Sequence, residues 1–347
     1  MEKPFKTKCV ENQVKVFGRT FAEQLLPDFR VLVVSHKNPD GDAIGSALGV
    51  SNMLEQSGLR SDVILPDPCP DFLKWLPGYK KVTHFERNPG KVGKLIDDAD
   101  AVIMVDFNDP DRLGEMKARL MESRSMKFLI DHHPGNGEFA HHKLICVDYG
   151  STAELVYDLF RNLYPVEFFS RELATCLLTG ILTDTNGLMV NSSYPAVFRV
   201  VSELVGLGAD KEEILDRVYN QFSVNRMRLL GYCLNQKMVV IPEMHTAYIW
   251  ITKDDLKQFG HIKGDTEGFV NYPLSIAGVR FSVLFTEQDD HIKLSLRSKG
   301  LFPSNAVASE HFHGGGHLNA SGGRSFMPMK ETLVHFESIL KQYKGLI

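Results

Sequence analysis

Three clusters of carboxylate and imidazole side chains each follow directly on an apolar run. The segment SHKNPDGD brings His36, Asp40 and Asp42 after VLVVS. VDFNDPDRLG brings Asp106, with Asp109, Asp111 and Arg112 close behind. IDHHPGN brings Asp131, His132 and His133, and a helix-like segment ending in TDTNG adds Asp184. Taken singly, an Asp after a strand is more often a helix N-cap than a ligand, and KNPDG is an ordinary turn. Capping, however, has no use for histidine at two separate strand ends. Several carboxylates on one rim also repel one another unless a cation neutralises them. The set therefore reads as a metal site. Carboxylates dominate it, each ion would gain about one imidazole, and no cysteine takes part, which suits Mn²⁺ or Mg²⁺ better than a structural zinc. Four carboxylates and two imidazoles are too many donors for one ion; they suit a pair about 3.5–4 Å apart sharing a carboxylate.

The elements that must position these groups follow from the apolar pattern. An opening helix is predicted over roughly residues 11–26. Short, continuous apolar runs at 31–35, 62–65, 101–106, 127–131 and 144–148 alternate with helix-like segments, notably 42–57 and 112–124. That alternation predicts a parallel sheet covered on both faces. Ligands of such sheets bind beyond the carboxyl ends of the strands, so groups distant in sequence would meet on one rim. Gly45, Ser46, Ala47 and Gly49 keep the helix after the first strand thin, which predicts close packing on the sheet, and Asp42 stands where its cap would be. Two further helices are expected at about 151–163 and 171–182. Residues 191–228 read as helical and loosely amphipathic, a connection between lobes, with the Met and Phe of 181–230 in the core. From about 229 the pattern turns to adjacent strands and hairpins, with EQDD a hairpin turn and a terminal helix near 330–343. The fold class is thus α/β in two lobes: residues 1–190, a helical linker at 191–228, and a smaller α/β lobe at 229–347.

The second lobe carries HFHGGGHLNASGG. Consecutive glycines let backbone N–H groups approach an anion closely, and Arg297, Lys299, His311, His313, His317 and Arg324 make this region locally cationic within a chain of net charge −4. His245, His261 and His291 read as structural or surface residues. The overall charge argues against coating of long nucleic acid by counterion release, but not against a local grip on a few phosphates. No stretch is long and apolar enough to span a bilayer, and the N-terminus lacks the features of a signal peptide. Cys9, Cys69, Cys146, Cys176 and Cys233 are scattered and odd in number, as free thiols of a reducing compartment would be. A cytoplasmic protein without a membrane partner is expected, and a homodimer is compatible with the sequence.

At these residues the chain resembles the DHH phosphoesterase superfamily, and more closely its DHH–DHHA1 group of nanoRNases and 3′-phosphoadenosine-5′-phosphate (pAp) phosphatases. HxxxDxD, the mid-sheet VD, the Asp131-His132-His133 triplet, the TDT segment and the terminal GGGH occur in family order over nearly the whole chain. The resemblance implies a DHH metal-binding catalytic domain followed by a DHHA1 substrate-binding domain with a mixed sheet. It implies that His36 and Asp40 bind one Mn²⁺, that Asp42, His132 and Asp184 bind a second, and that Asp106 bridges them. His133 would stand beside the scissile phosphate, and Asp131 would orient the histidine ligand. Gly315, Gly316 and His317, with Arg297 and Ser298, would grip a non-scissile phosphate or the terminal nucleotide, and Asn271 is a further substrate-side position. Two departures stand out: relatives commonly continue from Asp184 directly to Gly and often Arg, where this chain inserts Asn186, and GGGH is followed by LNASGG with Ser321. The implied activity is Mn-dependent, two-metal hydrolysis of short oligoribonucleotides, of pAp, or of both, with no long duplex as partner. The alternative is a cyclic-di-AMP or pApA phosphodiesterase, although no transmembrane, PAS-like or GGDEF-like segment precedes the first lobe. A pyrophosphatase or exopolyphosphatase fits the GGGH segment less well. A non-catalytic nucleotide sensor would have lost ligands, and every expected one is present.

Overall fold

A computed structural model describes residues 8–262 and 264–346. The chain divides into two compact units, Met1–Gln221 and Phe222–Ile347.

The first unit is built on a sheet of β1 (Arg30–Val34), β2 (Arg60–Leu65), β3 (Thr83–His84), β4 (Ala101–Val105), β5 (Met126–Asp131) and β6 (His142–Ile145). The strands lie in the order β3-β2-β1-β4-β5-β6, and every pairing is parallel. Successive side chains point to opposite faces of a strand, and here both faces are buried. Val31 and Val33 enter one core while Leu32 and Val34 enter another, which is why these strands read as unbroken apolar runs. The helices are α1 (Lys8–Gln24), α2 (Gly41–Gln56), α3 (Pro89–Asp98), α4 (Lys117–Glu122), α5 (Thr152–Leu163), α6 (Arg171–Asp184), α7 (Pro195–Gly206) and α8 (Lys211–Tyr219). Helices α3 and α4 cover one face, and α1, α2 and α5 to α8 supply the larger core on the other. The short edge strand β3 and helix α3 went unread in the sequence.

The span read as a helical connection is divided between the units. Val197, Val200 and Leu204 of α7 and Ile214 and Val218 of α8 are buried in the core of the first unit. Helix α9 (Val224–Tyr232) belongs to the second. The Met and Phe residues of this stretch do not form its core: Met189, Phe198 and Met227 are exposed, because the buried stripe is carried by the Val, Leu and Ile positions instead.

The second unit carries β7 (Met238–Ile241), β8 (Thr246–Ile251), β9 (Phe281–Glu287), β10 (Ile292–Ser298), β11 (Gly315–His317) and β12 (Ala320–Ser325), with α10 (Lys253–Gln258), α11 (Ser304–His311) and α12 (Met329–Leu340). The order is β11-β12-β10-β9-β8-β7. Only β8 and β9 pair in parallel, so the sheet is mixed. Residues 288–291 close the β9–β10 hairpin, the Gln288 N–H donating to the His291 carbonyl at 2.8 Å. One face is buried under α11 and α12, and part of the other under α9. Four cysteines, Cys69, Cys146, Cys176 and Cys233, are buried free thiols; the side chain of Cys9 lies outside the described residues. Among the described residues no helix is long and apolar enough to cross a membrane.

Candidate metal centre

The donors of the first unit converge at the carboxyl ends of β1, β4 and β5. Ser35 ties the first two together, its hydroxyl donating to the Val105 carbonyl at 2.8 Å. His36 follows, buried, with Nδ1 at 2.8 Å from the Lys37 carbonyl and 2.8 Å from a guanidinium nitrogen of Arg112. The cap of α2 is Asp40, not Asp42: Asp40 Oδ1 accepts from the Ala43 N–H at 3.0 Å. Asp42 lies inside the first turn and serves another helix. Its carboxylate accepts the backbone N–H groups of Thr152 at 2.7 Å and Ala153 at 2.9 Å, the first residues of α5.

Asp106 stands just past β4 with φ +67°, a left-handed conformation uncommon outside glycine that turns the chain sharply at the strand end. Its N–H remains tied to β5 through the Ile130 carbonyl at 3.1 Å. The buried carboxylate lies between two imidazoles: Oδ2 is 3.5 Å from His36 Nε2 and Oδ1 is 3.8 Å from His132 Nε2. Oδ1 also accepts the Thr152 hydroxyl at 2.9 Å. Ligand atoms of His36, Asp40 and Asp106 lie within 4.8 Å of one another, as do those of Asp42, His132 and Asp184. These are the two groups anticipated from the sequence, brought together from four separate segments.

Asp131 is placed differently from expectation. It holds His133 rather than His132, accepting Nδ1–H of His133 at 2.8 Å and its backbone N–H at 3.2 Å. Adjacent residues leaving a strand point opposite ways, so the carboxylate reaches the residue two positions on. His132 finds the Tyr149 carbonyl instead, at 3.3 Å from Nδ1. The second oxygen of Asp131 is buried and has no hydrogen-bond partner among the described residues. After Asp184, the last residue of α6, Asn186, Gly187 and Leu188 all adopt positive φ. Asn tolerates that conformation well, which accounts locally for the inserted residue.

The electrostatics explain why the cluster needs a counter-charge. Burial pushes the Asp106 carboxyl well above the ordinary range, and Asp42, Asp40, Asp131 and Asp184 push it further. Burial likewise raises Asp184 to about 7 and lowers His36 to about 4. Burial opposes a charge on His132, yet Asp184 and Asp42 beside it carry its pKa above the usual value. Five carboxylates, of which Asp42, Asp106 and Asp131 are buried, Asp184 half-buried and Asp40 exposed, with imidazole nitrogens among them, form an oxygen-rich donor set that fits divalent cations.

Thr152 was not legible as a site residue, although Ser151 with Glu154 three residues on marks the start of a helix. It is expected to act through Asp106. Thr152→Val keeps the shape and removes the hydroxyl, and should weaken Mn²⁺ binding by about 10–100-fold. Thr152→Ser should retain the affinity, both read by calorimetric titration; equal affinities in Val and Ser variants would remove Thr152 from the site.

In the second unit, Arg297 and Ser298 end β10. The Ser298 side chain is committed internally: its hydroxyl donates to the Phe302 carbonyl at 2.7 Å and accepts from Asn319 at 2.9 Å. It secures a loop rather than facing outward. Gly315, Gly316 and His317 form the short edge strand β11 rather than an open loop. A Cβ on Gly316 would lie 2.7 Å from the Ala320 carbonyl oxygen, so close strand approach requires glycine there. Arg297, Ala320 and His317 occupy one row across β10, β12 and β11. Asn271 lies in a 3₁₀ segment, Phe269–Ser275, which Lys299 ties to the end of β10 through the Leu274 carbonyl.

Residues 30–181 match the DHH family N-terminal domain, and residues 244–342 match the DHHA1 domain. The parallel sheet with its carboxylate–imidazole rim in the first unit, and the mixed sheet of the second, belong to a hydrolase acting on phosphoester bonds. The chain belongs to the DHH family of phosphoesterases. It is 31% identical to the bifunctional oligoribonuclease and PAP phosphatase NrnA of Thermus thermophilus, over 84% of this chain and 83% of that protein. It is 27% identical to the cyclic-di-AMP phosphodiesterase PdeA of Listeria monocytogenes, over 90% of this chain and 48% of PdeA. The crystal structure of an exopolyphosphatase-related protein from Bacteroides fragilis matches with a TM-score of 0.92 at 41% identity, covering 96% of this chain and 97% of that one.

Proposed function

We propose that the protein hydrolyses short oligoribonucleotides and pAp in the cytoplasm, using two divalent cations. The observation that carries this reading is the pair of donor groups that meet at Asp106, in a chain similar over most of its length to an oligoribonuclease and PAP phosphatase. His36 and Asp40 would hold one cation, Asp42, His132 and Asp184 the other, and Asp106 would serve both. When bound, Mn²⁺ or Mg²⁺ supplies an acidified water nucleophile and neutralises charge on the phosphoryl oxygens.

The rest of the work falls to the chain. The first turn of α5 fixes the Asp42 carboxylate, and Thr152 fixes that of Asp106, so neither has to reorganise when a substrate arrives. The Tyr149 carbonyl takes the Nδ1–H of His132, which leaves Nε2 as the ligand atom. Asp131 does the same for His133, making Nε2 the atom that meets the phosphoryl group. Arg297, His317 and Asn271 hold the far end of the substrate, with Gly315 and Gly316 allowing close approach; the first unit is catalytic and the second binds substrate.

Similarity to PdeA keeps a cyclic-di-AMP or pApA phosphodiesterase as the second reading. Initial rates with Mn²⁺ across pAp, pApA, short RNAs, cyclic-di-AMP and pyrophosphate decide between them. The highest kcat/KM is expected for short RNA or pAp, with loss of turnover in EDTA. A preference for cyclic-di-AMP or pyrophosphate would overturn the assignment, and nucleotide binding without any turnover would make the protein a sensor.

A further inference from the structure

The face of the second sheet opposite α11 and α12 is only half covered. Leu229, Leu230 and Cys233 lie over Ile249, Ile251 and Leu284, which closes the β8–β9 half. On β10 the alternation is strict: Ile292, Leu294 and Leu296 enter the core, while Lys293, Ser295 and Arg297 point to the other side. Their partners on β12 are Arg324 opposite Lys293, Gly322 opposite Ser295 and Ala320 opposite Arg297. This half of the face is therefore a strip with a floor of Ser295, Gly322 and Ala320 and cations at both ends. Lys293, Gly322 and Arg324 are exposed, and none of the six positions is acidic. Asp290 in the hairpin turn feels the charge of Arg324 and is itself paired with His291 at 2.6 Å.

The strip ends on an aromatic. Phe326, the next outward position on the β12 side, is 63% exposed. Its ring centroid is 5.5 Å from that of His313 and 6.3 Å from that of His291. An exposed ring flanked by two imidazoles offers a flat apolar platform at the end of the cationic strip. A stacking base would cover it.

We propose that this strip is a track for the backbone of a single-stranded oligonucleotide, running from Arg297 past Ser295 to Lys293 and Arg324, with a base stacked on Phe326. The inference rests on the reading of Arg297 as a substrate contact and deepens it, because it makes the substrate a chain rather than a single nucleotide. Outward positions along an antiparallel strand repeat every ~6.8 Å. An extended nucleic-acid strand can match that step between phosphates. In a polyphosphate neighbouring phosphorus atoms share one oxygen, so its adjacent charges lie closer than that step. The small floor residues let a sugar–phosphate backbone lie flat on the sheet, and the cations supply a contact that does not depend on sequence.

Binding is measured without catalysis, by fluorescence anisotropy of labelled oligoadenylates two to six nucleotides long in EDTA. Wild-type affinity should rise about tenfold from the dimer to the longer chains. Lys293→Gln with Arg324→Gln should remove that gain and lower the salt slope by about 1.4, the value for two released phosphate contacts on a single strand. Turnover of pAp and the melting temperature should not change in this variant, since both side chains are exposed. Phe326→Ala should weaken the longest oligomer at least about fivefold and spare the dimer. Affinity that is flat with length, an unchanged salt slope in the double variant, or displacement of the oligomer by polyphosphate at equal phosphate concentration would each overturn the track. Failure of the wild type to hydrolyse any nucleotide with Mn²⁺ would instead overturn the proposed activity, and the two results are independent.

Discussion

Asp106→Asn is expected to abolish turnover and, at the same time, to raise the melting temperature of the metal-free protein. The two effects have one origin. The carboxylate sits buried among Asp40, Asp42, Asp131 and Asp184, all of which oppose its charge, and it lies between His36 and His132 where two cations would share it. Asn is the right probe because the backbone there has φ +67°, which Asn adopts readily and Ala does not. The Thr152 hydroxyl can still donate to Oδ1 of Asn, as it does to Asp106 at 2.9 Å, and the N–H bond to Ile130 is untouched. What disappears is one buried negative charge. In EDTA that relieves repulsion, and each kcal/mol gained should move the midpoint up by about 2–4 °C for a unit of this size. In Mn²⁺ the order should reverse, because a wild type that holds the proposed ions would gain their binding free energy. Loss of several kcal/mol of charge stabilisation at the metals corresponds to about a thousandfold in rate. Calorimetry in EDTA and in Mn²⁺, with phosphate release from pAp, reads all of it. Near-normal turnover would remove Asp106 from the centre, and a lower midpoint in EDTA would show that the carboxylates do not repel. Asp106→Ala should lose the stabilisation, since it adds backbone strain of about 1–3 kcal/mol.

What the sequence revealed and what it hid divide along the range of the interactions. Strands β1, β4 and β5 were legible because both of their faces are buried, which leaves an unbroken apolar run. The donors stood out because capping has no use for histidine at two separate strand ends, and because several carboxylates fall on one rim. The groups that hold those donors were not. Asp42 is fixed by backbone N–H groups 110 and 111 residues away, and Asp106 by a hydroxyl 46 residues away. No local pattern encodes such pairs. The same reason explains why Asp131 meets His133 instead of His132, since only the path of the chain beyond β5 decides which imidazole its carboxylate reaches. Ser298 misled for the opposite reason. The resemblance sets it beside Arg297 as a substrate contact, but the loop carbonyl of Phe302, four residues on, takes the hydroxyl.

The small residues of α2 show how a sequence feature can be read correctly and placed wrongly, and they carry the second large prediction. Gly41, Gly45 and Gly49 recur at four-residue spacing, hence on one face. That face meets α6 rather than the sheet. A Cβ on Gly45 would lie 2.6 Å from the Cys176 carbonyl oxygen and 2.9 Å from the Gly180 nitrogen, while those on Gly41 and Gly49 would strike Thr183 and Leu177. Gly180 is equally tight from the other side, its Cβ falling 2.6 Å from that of Ala153 in α5. Three helices thus cross at backbone contact, and their near ends carry Asp40 and Asp42, Thr152, and Asp184. The crossing sets the distance between the two donor groups. Gly45→Ala gains up to about 1 kcal/mol in helix propensity, but it meets backbone atoms that cannot swing aside, and overpacking of that kind costs about 1–3 kcal/mol. The clash wins. The midpoint should fall, and because a ligand displacement near 1 Å can cost about 100-fold in rate, kcat/KM should fall by that order in protein that is still folded. Gly206→Ala, at the end of α7 with no atom near its Cβ, is the control and should leave both unchanged. If Gly45→Ala keeps full activity at a raised midpoint, the helices have room to spare and the metal spacing is set elsewhere, by the sheet alone.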